Sequence, residues 1–557
     1  FDSIGKSRGG QSLGSSKSFA DMAQLLIVSL ILAVRGSEIQ VASNDYAFAM
    51  VNLASGLGAC WGDSRFGGDC SALDFNGVTK VQANARSIAA LTTTGGVCWG
   101  PSGLSNGGDC SGVALTGMKD LYHTDFSFAA VDLMEGRGVC WGNSRYGGDC
   151  SLIDFSHVTL IAQNRFAYAA FSASTGTMQC WGSDRYGGST TPEGGSCVGF
   201  TGTSLDVTGT TEIIAGKSAF VALNKNAGTI TCWGLASQGG DCTSVTLTGI
   251  TDVYTNGLAF LALNKNLGTG QCWGTLSSGG DCSNIDFSGE VEIYSTQSAF
   301  LAVKAGSGQC WGNTAEGGEC SSVDFSTVSG VYSNSFAFLL LNDAGVPQCW
   351  GLSGYGGDGC SGIGSLNGFD VYSSARAFGA INTVTETGFC WGQEDFGGNC
   401  AGLDFRGITN VWVNSRAFVA VNLNAESGLA WGSATRGGDA TSVDFPRVLN
   451  IPTTVTTTGT TVTLTQTTVT ATNTVTTSET VTTTLTATNT STTSETVTTT
   501  ATTTVTGTST LTQTTVTATN TVTTSETVTT TATTTVTGTS TLTQTTVTAT
   551  NTSTTSE

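Results

Sequence analysis

Between Val78 and Gly100 the chain reads VTKVQANARSIAALTTTGGVCWG: apolar and polar positions alternate, break at a polar turn, resume as SIAAL, turn at Thr-Gly-Gly and run into VCWG. Alternation with a period of two puts successive side chains on opposite faces of a strand. Runs this short, separated by turn residues, leave no room for a helix of ordinary length. Three short strands are predicted. The layout returns in TDVYTNGLAFLALNKNLGTGQCWG (Thr251 to Gly274) and in VEIYSTQSAFLAVKAGSGQCWG (Val291 to Gly312).

The unit repeats throughout the first four-fifths of the chain. Trp-Gly occurs with Trp at 61, 99, 141, 181, 233, 273, 311, 350, 391 and 431, at spacings of 38 to 42 residues apart from one gap of 52. A fixed period of this length marks a propeller, solenoid or array. The predicted middle strand carries a small residue beside a large one, as in Ala47-Phe48, Ala219-Phe220, Ala259-Phe260, Ala299-Phe300, Ala337-Phe338, Ala377-Phe378 and Ala417-Phe418. A small residue lets neighbouring sheets approach while the aromatic fills the space between them, so these pairs are expected core.

The strings ANARSIAAL, GGVCWG and WGDSRFGG resemble the blade motif of the RCC1-like repeat family, and the likeness covers residues 37–450 ten times over. It implies an all-β chain, an RCC1-like β-propeller or propeller-like array of about ten short three-stranded repeats. Members of the family usually have seven blades, and short repeats of this period are similar to those of secreted bacterial members. Ten copies do not match seven, and the long spacer between Trp181 and Trp233 leaves an open array or two partial units as alternatives. The family commonly continues G-Q-L-G where this chain has G-G-D-C, and it often carries His ahead of the middle strand, whereas this chain has only His123 and His157. Its best-known activity, nucleotide exchange on a small GTPase, therefore finds no matching residues here.

In nine copies one Cys precedes Trp-Gly and another follows Gly-Gly: Cys60 and Cys70, Cys98 and Cys110, Cys140 and Cys150, Cys180 and Cys197, Cys232 and Cys242, Cys272 and Cys282, Cys310 and Cys320, Cys349 and Cys360, Cys390 and Cys400. The tenth copy has Ala430 and Ala440 in their place. Loss of both together, with no odd Cys left over, is what bonded partners predict. Gly67-Gly68 supplies the permissive backbone for the reversal. Zinc is the competing reading, but its usual close Cys pairs and His are lacking. Free thiols are the third, and nine equivalent copies cannot all be one catalytic nucleophile. Disulfides point to an oxidising compartment, hence to a secreted or cell-surface protein.

Acidic residues follow the same repeat. Asp69, Asp149, Asp241 and Asp281 come after Gly-Gly, and Asp74, Asp154, Asp286 and Asp404 precede Phe. Paired carboxylates could hold Ca2+; capping of glycine turns is the simpler expectation. No cofactor or metal is expected. The net charge of −20 sits almost wholly on the repeats, since residues 451–557 hold only four Glu, and such a surface repels phosphate backbones, which argues against a nucleic-acid partner.

The two ends differ from the repeats. Residues 1–36 include an apolar run at 25–34 that suits a signal-peptide h-region and is too short to span a bilayer; a strand of a degenerate first repeat is the alternative. The chain opens on Phe1 and stops at TTSE inside a unit that elsewhere continues TTSETVTTT, so a fragment is expected. Residues 451–557 are Thr- and Val-rich, and TLTQTTVTATN begins at Thr463, Thr510 and Thr541. Little large apolar mass favours a disordered, glycosylated stalk, with sequons at Asn489 and Asn551. A Thr-x-Thr face of high β propensity, able to bind ice or polysaccharide or to self-associate, is the alternative.

No catalytic triad, P-loop or metal cluster emerges. The expected role is a non-enzymatic scaffold for protein or glycan binding, or a structural surface component; an RCC1-type exchange factor or ligase-associated propeller is the rival. A ligand would be read by the variable loops at the blade rims.

Overall fold

The computed structural model describes residues 39–101, 106–189, 197 and 205–449, together with eight strand segments between Thr468 and Ser553. The apolar run at 25–34 lies outside the described residues. The chain divides into two units, Arg35–Ile451 and a second made of Phe1–Val34 with Pro452–Glu557.

In the first unit each repeat folds into one antiparallel three-stranded sheet. The first consists of β1 (Ile39–Ser43), β2 (Ala47–Asn52) and β3 (Leu57–Gly62), and the tenth of Asn410–Val413, Ala417–Asn422 and Ser427–Gly432. All six residues of β2 are buried, because both faces of the sheet meet a neighbouring sheet. That is why AFAMVN reads as a continuous apolar run rather than as an alternation. The small-large pairs are core as expected: Phe48, Phe220, Phe260, Phe300, Phe338 and Phe378 are fully buried.

The hydrophobic clusters lie between blades rather than within them. One joins Ala49 and Val51 of blade 1 to Phe75, Ile88 and Trp99, which complete blade 2. Two elements of the repeat reach into the next blade, a glycine carbonyl at eight of the ten junctions and a Phe at six. The carbonyl of the first glycine of Gly-Gly accepts a hydrogen bond from the next blade's indole, as from Trp99 Nε1 to Gly67 O at 3.0 Å and from Trp273 Nε1 to Gly239 O at 3.0 Å. The Phe of Asp-Phe then packs edge-on against the same indole, Phe75 against Trp99 at 5.5 Å and Phe405 against Trp431 at 5.7 Å.

The same two contacts join the tenth repeat to the first. Trp61 Nε1 donates to Gly437 O at 3.0 Å, and Phe445 sits edge-on to Trp61 at 6.1 Å. Phe445 opens a short helix, α1 (Phe445–Leu449), whose Val448 carbonyl accepts from Asn52 Nδ2 at 2.9 Å. The array is therefore a closed ring of ten blades, rather than seven or two partial units. The long spacer does not interrupt it: Trp233 still donates to Gly187 O at 3.1 Å.

Gly-Gly is required by the turn that presents this carbonyl. Gly67 has φ 103°, in the left-handed region that favours glycine, and a Cβ on Gly68 would lie 2.7 Å from the carbonyl carbon of Gly62. The tenth repeat has the same turn without a disulfide, with Gly437 at φ 98°.

In the Thr-rich region the described segments are paired strands. Segments 468–475, 496–506 and 527–537 pair in parallel in one sheet, and 482–491, 513–522 and 545–553 in another. Like falls on like: Ala501 pairs with Ala532 and Val505 with Val536. β-branched Thr and Val favour extended backbone, and near-identical repeats allow each strand to pair in register with its own counterpart. Asn489, Asn520 and Asn551 occupy successive positions of one such register.

Candidate binding face

The cysteines are paired within repeats. Each Cys ahead of Trp-Gly is bonded to the Cys after Gly-Gly of its own copy, from Cys60 with Cys70 to Cys390 with Cys400, at Cα separations of 5.1 to 6.1 Å. There are nine bonds and no free cysteine among the described residues. Each bond ties the outer strand to the segment that leaves for the next blade. In the tenth copy Val443 N donates to Ala440 O at 3.0 Å, as Leu73 N does to Cys70 O at 3.0 Å. The staple thus secures a path that the glycines already set.

The acidic positions are turn caps. Asp69 Oδ1 accepts from Ser71 N at 3.0 Å and Asp281 Oδ1 from Ser283 N at 3.0 Å; Asp154 Oδ1 accepts from Ser156 N at 2.9 Å. Hydrogen bonds from the backbone N–H two residues on hold the Asp69 and Asp281 carboxyls below their ordinary range. Among the described residues no three His, Cys, Asp or Glu side chains gather as metal ligands. His123 lies in the inner strand of blade 3, while His157 sits at φ 68° in the turn where blade 1 has Gly77. The strands do not bring the two imidazoles into one site.

One rim of the ring carries a feature that residue-by-residue reading of the sequence passed over. Because Ala47 pairs with Gly62, the turn entering the middle strand and the 3-10 turn leaving the outer strand lie at the same end of each blade. The residue before the small middle-strand residue therefore meets the residue before Gly-Gly. Tyr46 stacks on Phe66 with centroids 4.1 Å apart, Phe166 on Tyr186 at 4.3 Å, and Phe126 lies 5.0 Å from Tyr146.

Guanidinium groups are layered on these rings. Arg436 lies 3.9 Å over Tyr46, and Arg376 lies 4.6 Å over Tyr355 and 4.7 Å over Phe396, which Arg416 covers on the next blade at 4.6 Å. Among the described residues, eight of eleven arginines stand over a ring of this kind. The layer runs from blade 8 through the seam to blade 4. On blades 5, 6 and 7 the same positions hold Ser218 and Gln238, Leu258 and Ser278, Ser298 and Glu316. The strings SRFGG, SRYGG and DRYGG were the signal in the sequence, visible once the copies are aligned on Gly-Gly.

Charge on this rim is locally balanced. Arg65 pairs with Asp63 at 2.8 Å and Arg165 with Asp125 at 2.6 Å. Among the described residues no carboxylate forms an ion pair with Arg376, Arg416 or Arg436. Arg376 Nη1 donates to Gln393 Oε1 at 3.1 Å, and Arg436 Nη1 to the Asp45 carbonyl at 3.4 Å. Nearer the ring axis, Lys217 of blade 5 reaches across blade 6 to Gln297 Oε1 of blade 7 at 3.0 Å, and burial holds its ammonium below the ordinary lysine range.

No helix among the described residues is long and apolar enough to cross a membrane. No family model matches the chain, and no curated protein matches it. Among solved structures it is similar to the ectodomain of the Physcomitrella patens receptor kinase CR4, with 18% identity over 54% of this chain and 80% of that one and a TM-score of 0.28. It is also similar to Prp20p of Saccharomyces cerevisiae, with 13% identity over 56% and 82% and a TM-score of 0.27. The ectodomain of the Arabidopsis thaliana receptor kinase ACR4 gives 14% identity over 52% and 98% and a TM-score of 0.25. At such values the propeller architecture rests on this chain's own strand pairing and ring closure.

Proposed function

We propose that this protein is an extracellular, non-enzymatic binding scaffold: an RCC1-like propeller stapled by nine disulfides and carried on a Thr-rich stalk, with Asn489 and Asn551 as glycan acceptors. The observation that carries the reading is the division of labour among positions. The residues repeated in nearly every copy are Trp, Gly, Ala, Phe and paired Cys, which serve packing and turn geometry, whereas the aromatic and arginine rim changes from copy to copy. Catalysis needs one unrepeated set of nucleophile, base and charge stabiliser, and the rim offers stacked rings and guanidiniums instead. Nine disulfides fit an oxidising compartment.

The purified full chain, assayed for ester, peptide and glycoside hydrolysis and for nucleotide exchange on small GTPases, is expected to accelerate none of them. An activity that disappears on changing one polar residue, with the ring still folded, would replace this reading by an enzymatic one.

A further inference from the structure

The aromatic and arginine layer is not what holds the ring together. Blades 5 to 7 lack it and still pack as the others do: Phe260 stacks on Trp273 at 5.3 Å and Phe300 on Trp311 at 5.1 Å, and Trp311 Nε1 donates to Gly279 O at 3.1 Å. A feature needed for closure would be present at every junction. Its restriction to a continuous arc over blades 8, 9, 10 and 1 to 4 calls for another role.

Its composition is that of binding hot spots, in which Tyr and Arg are enriched and Lys is rare. A guanidinium stacked on a ring keeps its N–H edge available for a bidentate carboxylate. Arg376, Arg416 and Arg436 have no ion-paired carboxylate among the described residues, and Tyr46 and Tyr355 are only partly buried. A dense polyanion would need a strongly positive field, which the Arg65–Asp63 and Arg165–Asp125 pairs and the chain's net charge of −20 do not supply. The match is a surface with discrete carboxylates set among apolar groups.

We propose that this arc is the docking surface for a protein partner that presents Asp or Glu side chains between apolar ones. The inference rests on the scaffold reading above and names its partner class.

Random twelve-residue peptides displayed on phage and selected against the full chain provide the probe. Enriched peptides are expected to combine Asp or Glu with Leu, Phe or Tyr. Their affinity, read by fluorescence anisotropy, is expected to fall at least tenfold in the R376Q/R416Q/R436Q variant and to be unmoved in a Q238A/L258A control on the bare part of the rim. Should the triple variant melt lower than the parent, R436Q alone carries the test, with an expected loss of threefold or more. Enrichment of no peptide, enrichment of peptides without acidic residues, or affinity indifferent to the arginines would overturn the proposal. So would arginine-dependent binding of polygalacturonate in place of the peptides, which would give the arc to a glycan. Peptides that bind elsewhere on the ring would sink this inference and leave the scaffold reading standing, whereas turnover of a substrate would sink the scaffold reading itself.

Discussion

At the scale of single residues the ring depends on an indole and a glycine pair. Trp273 is 4% exposed, stacks on Phe260, donates to Gly239 O and belongs to the cluster that joins blades 5 and 6. Trp273→Ala is expected to destabilise the ring by about 3 to 5 kcal/mol, read as a shift of the denaturant midpoint, and a change under 1 kcal/mol would mean that the junction does not depend on it. Gly68→Ala forces a Cβ against the Gly62 carbonyl and should lower the midpoint as well. The capping carboxylates add a pH dependence. Asp69, Asp149, Asp241 and Asp281 titrate below the ordinary 3.8 in the folded ring, so the unfolded chain binds more protons as pH falls through that value. Their stabilisation is fully present above about pH 5 and is lost progressively on further acidification; an acid-unfolding series flat down to pH 2 would contradict it. The Ala-Phe pairs were legible as core because a repeated small-large pair has few other uses. Tyr46, Phe66 and Arg436 were not, because an isolated aromatic before Ala or Gly looks like more core until the register of two turns brings the positions together.

At the scale of the element the unit is a three-stranded blade with a stapled exit. The number of strands was readable because turn residues separate every apolar run, and the pairing of cysteines because Ala430 and Ala440 vary together. The insensitivity of the ring to the spacer between Trp181 and Trp233 was not readable, since only the Trp233 to Gly187 bond shows that the junction is kept. The pairing of Thr-rich segments with their own repeats was also hidden, because composition alone does not reveal which copies stack. The tenth blade keeps the stapled path without its bond, so A430C/A440C should close a tenth disulfide. For a loop of this length the chain-entropy account gives a gain of up to about 3 kcal/mol. Peptide mapping under non-reducing conditions should find the two new cysteines joined, with a higher melting temperature; free thiols at both positions would show that the tenth exit differs from the other nine.

At the scale of the whole molecule the ring closes without exchanging a strand between its ends. The last repeat hands blade 1 the glycine carbonyl and Phe contact that blade 1 hands to blade 2, and α1 adds the Asn52 to Val448 bond. Truncation after Ala440 removes Phe445 and Val448 from the seam and should lower the melting temperature and expose Trp61, read as a red shift in tryptophan emission. Truncation after Asn450 keeps both contacts and should leave the melting of the ring unchanged. The ten Trp-Gly units were countable in the sequence, but closure was not, because it rests on contacts some 376 residues apart that no local pattern encodes. Imaging the full chain by electron cryomicroscopy tests closure most directly. Axial views should show ten blades in an unbroken ring, with blade 10 against blade 1 as every other pair; an open arc, or a smaller ring with repeats left outside it, would contradict the account.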